Sequence, residues 1–144
     1  MQIEEGLEEK VKRFLNQRTR SMGDALGIQF LTFGKEEVCA SMPVDENTIQ
    51  PFGILHGGAS VALAETVASI GAWLNIDEKI HSTVGIEINA NHLKSVRPGQ
   101  RVEATARPLH RGRQVQVWEV RIETEDGKPV CISRCTLAVV ENRR

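Results

Sequence analysis

Residues Gln50 to Glu65 read QPFGILHGGASVALAE: one histidine, a glycine pair directly after it, and a single carboxylate at the end of an otherwise apolar run. From Gly57 to about Asn75 the chain has no proline and is rich in alanine, so the pattern predicts a helix there, begun by the glycine pair. Stepping about 100° per residue from Gly58 brings Leu63, Val67, Ile70 and Leu74 into one arc of about 60°, the face expected to lie on a sheet. The opposite side holds Ala62, Glu65, Ser69 and Ala72. Between Ala59 and Leu74 the only charge is Glu65. A solvent-facing helix normally carries several charges, so two readings stand: an exposed glutamate on an ordinary outer face, or a functional carboxylate among small residues that another surface approaches closely.

The elements around this helix follow from their own periodicities. Ile3, Leu7, Val11, Phe14 and Leu15 recur at helical spacing among charged residues, which predicts an amphipathic N-terminal helix within residues 1–21. Residues 22–144 then form one domain. Two apolar runs between Leu26 and Met42, parted by Phe33-Gly34-Lys35-Glu36, read as a hairpin, and Asp45-Glu46-Asn47-Thr48 as a loop. After the long helix come STVGIEINANHL, QRVEATARPLH, RQVQVWEVRIETE and KPVCISRCTLAVV, rich in β-branched residues and separated by RPG, RGR and EDG. Trp118, Val120 and Ile122 alternate with Glu119, Arg121 and Glu123, the period of a half-buried strand. Short connections between successive strands imply an antiparallel sheet, since parallel neighbours need long crossovers. The fold class is α+β, with the sheet around or against the long helix.

Bulk properties narrow the function. The 144 residues are 40% apolar, enough for one domain with its own core. Eighteen Lys and Arg against 19 Asp and Glu leave a formal net charge of −1, so charge points to no nucleic-acid or acidic-membrane partner. Cys39, Cys131 and Cys135 are odd in number and form no CxxC pair, which speaks for reduced thiols rather than disulfides or a metal set. The charged start lacks the apolar core of a secretion signal, and no uninterrupted apolar run has membrane-spanning length. A cytoplasmic setting is the expectation.

A helix start with unpaired N–H groups, backed by the positive end of the helix dipole, suits the polarisation of a carbonyl. A carboxylate suits attack on that carbonyl or activation of water. Gly57 and Glu65 are eight residues apart, however, about 12 Å along a helix rising about 1.5 Å per residue. One helix cannot bring both to one carbon. Two antiparallel copies related by a two-fold axis can, each supplying the glycine to the other's glutamate, so the expectation is a homodimer with shared sites.

QPFGILHGGASVALAET, followed by VGIEINANHLKSVRPG, resembles the hotdog-fold acyl-CoA thioesterases, in particular the PaaI-like branch that hydrolyses 4-hydroxybenzoyl-CoA and 1,4-dihydroxy-2-naphthoyl-CoA. The likeness spans roughly Met22 to Val140. It implies an antiparallel sheet wrapped around the long helix, dimers whose sheets join, and tetramers of those dimers. It implies no cofactor and no metal, CoA being part of the substrate. Carried over by position, Glu65 is nucleophile or general base and the Gly57 N–H polarises the thioester carbonyl. Gln50 and His56 orient the substrate or water on the Gly57 side, and Ser69 hydrogen-bonds from the partner chain. The resemblance also suggests His92 and Ser95 as nucleotide contacts, and Lys94, Arg97, Arg111 and Arg113 are the cations at strand ends available to CoA phosphates. Plainer roles stay open for several: Gln50 as a loop residue, His56 as a helix cap, Ser69 bonded back to its own helix, the arginines as solvated ends. Glu87, on one strand face with Asn89 and Asn91, is a rival acid. The other functional classes are a non-catalytic CoA- or acyl-binding module and an enoyl-thioester hydratase of the same fold.

Overall fold

The computed structural model describes residues 1–17 and 19–143. Arg18, within the predicted N-terminal helical segment, and Arg144, the last residue of the predicted domain, lie outside the described residues. In chain order the elements are β1 (Gln2–Ile3), α1 (Glu8–Gln17), α2 (Met22–Ala25), β2 (Gln29–Phe33), β3 (Val38–Pro43), α3 (Gly57–Leu74), β4 (His81–His92), β5 (Arg101–Arg111), β6 (Val115–Thr124) and β7 (Pro129–Glu141). One seven-stranded sheet, ordered β1-β2-β3-β5-β6-β7-β4, curls around α3. Every pairing is antiparallel except the short β1–β2 contact. This is the hotdog arrangement of an α+β domain.

Burial of the expected inner arc explains why α3 sits where it does. Leu63, Val67 and Leu74 are buried and Ile70 is half-buried. The buried face is wider than the arc, because Ala64, Ala68, Gly71 and Ala72 are covered too. Ala72, expected on the open side, is fully enclosed. Small residues let the sheet close in: a Cβ on Gly71 would stand 2.6 Å from Cζ3 of the fully buried Trp118. On β6, Trp118, Val120 and Ile122 face inward while Arg121 and Glu123 face solvent, as the alternation predicts. The helix has the length and mean hydropathy of a membrane span, 18 residues at 1.2, yet half of it is buried inside the domain.

Three expectations need correction. Residues 1–7 are not helical: Ile3 is in β1 beside β2, and helix begins only at Glu8. Leu26 does not open a strand, since the short helix α2 comes first and β2 starts at Gln29. The RPG segment is not a hairpin turn either, because β4 pairs with β7 and the chain crosses the domain before β5. The reason is the partner left free once β5, β6 and β7 have paired in succession: β4 takes the far edge of the sheet. There it exposes Val84 and Ile86, with an irregularity in register between Gly85 and Glu87.

Candidate active site

The start of α3 is set by its capping residue. His56 is extended, and its Nδ1 accepts a hydrogen bond from the Gly58 N–H at 2.7 Å. The plainer role foreseen for His56 is therefore real. Its own N–H donates to the Thr48 carbonyl at 2.8 Å, and the Leu55 N–H to that of Val96 at 2.8 Å, which ties the incoming loop to the sheet crossing. Ala59 and Ser60 donate back to the His56 carbonyl. Among the described residues nothing accepts from the Gly57 N–H. One donor at the positive end of the helix is thus left for a ligand.

Gly57 is a glycine for reasons of space. A Cβ there would lie 2.8 Å from Nε2 of His92, whose ring packs against it from the end of β4. Around the pair lies a cleft of about 380 Å³ lined by Gln50, Gly57, Ser60, His92, Lys94 and Ser95. Gln50 turns its Oε1 to the Phe52 N–H, and its amide NH2 has no acceptor among the described residues. Arg97 is exposed three residues beyond Lys94, its backbone N–H held by Gln100.

Glu65 and Ser69 open into a different cleft. It measures about 570 Å³ and runs from Ala62, Glu65 and Ile70 on α3 to Phe14, Met22 and Phe30. The carboxylate of Glu65 lies over Gly85 of β4: a Cβ on that glycine would meet Oε1 at 2.7 Å. No described group hydrogen-bonds the carboxylate. Burial pushes the Cys135 thiol up to about 11, and the negative charges of Glu65 and Glu87 add to the effect. The hydroxyl that bonds back to this helix is that of Thr66, to the Ala62 carbonyl at 2.7 Å, and not Ser69. Glu87 points outward, where Asn89 donates to it at 3.2 Å.

One chain therefore gathers Gln50, Gly57, His92, Lys94 and Ser95 in one place and Glu65 with Ser69 in another. His56 lines neither cleft and caps the helix, its ring against Gly58. Arg111 and Arg113 join neither cleft: they stand near Asn75, at the far end of an 18-residue helix about 27 Å long. Arg111 is also engaged, donating to Glu36, to the Asn75 Oδ1 at 3.2 Å and to the Lys35 carbonyl. Sequence reasoning missed Gly85, although a glycine inside a strand signals close approach by another group. It also missed Phe14, Met22 and Phe30 as lining of the second cleft, for which the sequence carries no signal beyond apolarity.

Residues 52–131 match the model of the thioesterase superfamily, which covers more than half of the chain. The chain belongs to the thioesterase superfamily. Thioesterase PA1618 of Pseudomonas aeruginosa, solved as a glutamine-to-alanine variant, superposes on this thioesterase with a TM-score of 0.83 at 48% identity, over 93% of this chain and 94% of that one. The 1,4-dihydroxy-2-naphthoyl-CoA hydrolase of Escherichia coli is 48% identical over 115 residues, 80% of this chain and 83% of that protein. A Staphylococcus aureus protein, solved once with a glutamate and once with a glutamine replaced by alanine, has TM-scores of 0.82 and 0.79 at 37% identity. Those two structures cover 85% and 82% of this chain, and it covers 100% and 97% of theirs. The thioesterase is a hydrolase of thioester bonds.

Proposed function

We propose that this thioesterase hydrolyses acyl-CoA, aromatic acyl-CoA in particular, at two equivalent sites of a homodimer. Each site takes the Gly57 cleft from one chain and the Glu65 cleft from its partner. The observation that carries this is the separation of the two clefts on one helix: carbonyl donor and carboxylate each stand in a half-site. The E. coli relative's substrate supports the aromatic class. The Staphylococcus aureus variants remove a glutamine and a glutamate at the same spacing as Gln50 and Glu65 here, which supports placing both in one site.

In such a site the Gly57 N–H donates to the thioester oxygen as charge develops on it. Glu65 either takes a proton from water, whose oxygen attacks the carbonyl carbon, or attacks that carbon itself. The C–S bond then breaks, CoA leaves as thiolate and takes up a proton, and the acyl group leaves as the acid; on the second route water first cleaves the acyl-Glu65 anhydride. The Gln50 amide NH2 and Ser69 orient the substrate or the water, and His56 holds the helix start in register by capping Gly58. Lys94 and Arg97, with His92 and Ser95 beside them, face the CoA phosphates and ribose at the rim of the first cleft. Arg111 and Arg113 contribute only where another subunit brings them there.

The test is thiol release from benzoyl-, 4-hydroxybenzoyl- and aliphatic acyl-CoAs without added metal or cofactor, comparing wild type with Glu65→Ala. Release from the aromatic thioesters that falls by about 10²–10⁴-fold in the variant is the expected result. Release confined to the aliphatic thioesters overturns the aromatic class, and release from the aromatic thioesters that is indifferent to Glu65 overturns its assignment as the reagent.

A further inference from the structure

The cleft beside Glu65 is mostly apolar, and the reagent carboxylate is the charge on its wall. Its near side is α3. Its far side belongs entirely to residues that precede the superfamily match at 52–131: Phe14 from α1, Met22 from α2 and Phe30 from β2. Chemistry and wall are thus carried by different parts of the chain. The wall is also built to hold a shape. Phe14 meets Phe30 edge-on at 6.0 Å and 86°, meets Phe33 at 6.2 Å, and leans on Trp73 of α3 at 5.6 Å. Phe30 in turn stacks on the buried Phe33 at 4.8 Å. From outside the cleft, Lys10 of α1 donates to the Trp73 and Ile76 carbonyls at 2.6 and 2.8 Å, and fixes α1 across the end of α3.

We infer that Phe14, Phe30 and Met22 are the specificity-determining residues of this thioesterase, closing the acyl side of the Glu65 cleft so that it accepts a compact aromatic acyl group and excludes an extended alkyl chain. The inference rests on the proposed function, since it takes Glu65 as the reagent. Two ring faces fixed nearly at right angles favour a third ring, which gains edge-to-face contact that a flexible chain does not. A wall locked by ring packing also has little room to yield to a long chain.

The experiment is kcat/KM for benzoyl-CoA and dodecanoyl-CoA with wild type, Phe14→Ala, Met22→Ala and Glu65→Ala. The readout is the benzoyl-to-dodecanoyl ratio, which a general loss of fold or activity does not move. Wild type is expected to favour benzoyl-CoA, and Phe14→Ala to shift the ratio toward dodecanoyl-CoA by at least about tenfold, the scale set by added pocket volume. Met22 is 63% exposed, so its truncation leaves folding intact; it should shift the ratio the same way by a smaller factor. Met22→Ala decides alone if Phe14→Ala does not fold. A wild type that is active and Glu65-dependent, with a ratio unmoved by either variant or already favouring dodecanoyl-CoA, overturns the inference and leaves the thioesterase site standing. Activity on neither substrate, or activity that survives Glu65→Ala, sinks the site assignment and the inference with it.

Discussion

Two glycines make room for candidate site residues by what they lack. Gly85 leaves room for the Glu65 carboxylate and Gly57 for the His92 ring, and in each case a methyl would stand under 3 Å from the neighbour. Gly85→Ala should push Glu65 aside by about 1 Å, enough to lower kcat about 10²-fold while circular dichroism and Tm stay near wild type. A variant with full activity would show that the carboxylate does not need that berth. The cysteines permit a second prediction. Burial raises the Cys131 and Cys135 thiols, Cys135 to about 11, so at pH 8 a thiol reagent should label at most the partly exposed Cys39 in native protein and all three after denaturation. The unfolded Cys135 loses its proton near pH 8.5 and the folded one near 11, so between those values the folded state holds more protons and stability falls as pH rises. Cys135→Ala should flatten that part of a denaturation-midpoint profile. At this scale the sequence singled out Glu65 as the lone charge on an apolar helix. Gly85 was not singled out, because its role depends on a side chain twenty residues away in sequence.

Among the elements, α3 and α1 are joined in two different ways. Against the sheet, α3 relies on fit. Gly71→Ala gains about 1 kcal/mol of helix propensity but forces a methyl into the buried Trp118 ring, at about 1–3 kcal/mol for overpacking. Trp118 is also held through Nε1 to Gln116, which in turn donates to the Ala72 carbonyl, so it has little freedom to retreat. The net effect should be destabilising, measurable as a lower urea midpoint. Against α1, the end of α3 relies on charge: Lys10 serves the Trp73 carbonyl in the last turn and the Ile76 carbonyl just beyond it, and lies over the Trp73 ring at 4.6 Å. Lys10→Met keeps the stem and loses the donors, with an expected cost of about 1.5–3 kcal/mol; an unchanged midpoint would show that water replaces the ammonium without loss. Helix α3 and strands β5 to β7 could be read from the sequence because their patterns are local. The pairing of β4 with β7 could not, since the same alternation suits any free edge. The N-terminal helix was predicted too long because Ile3 keeps helical phase with Leu7 while its backbone pairs with β2.

The whole molecule is organised around a surface that one chain leaves open. Strand β4 ends the sheet with Val84 and Ile86 exposed at 53% and 60%, and the carboxylate of Glu65 lies against the same strand. An unprotected apolar edge of this kind is a pairing surface. Sedimentation should therefore give at least twice the chain mass of 16.0 kDa, and Ile86→Lys should lower that mass and the activity together. A monomer with full activity would contradict the shared site. What the sequence offers is the distance between Gly57 and Glu65 along one helix, which motivates the proposed partner. The surface such a partner would meet was not legible, because no periodicity marks which strand ends the sheet. The proposed division of each site between two clefts also has a genetic consequence. On the proposed shared site, a chain lacking Glu65 and a chain whose Gly57 is blocked should each be dead alone, yet a mixed pair should rebuild one intact site from the sound half of each. Random reassortment of equal amounts should restore about a quarter of wild-type activity. Sites contained within single chains would restore none.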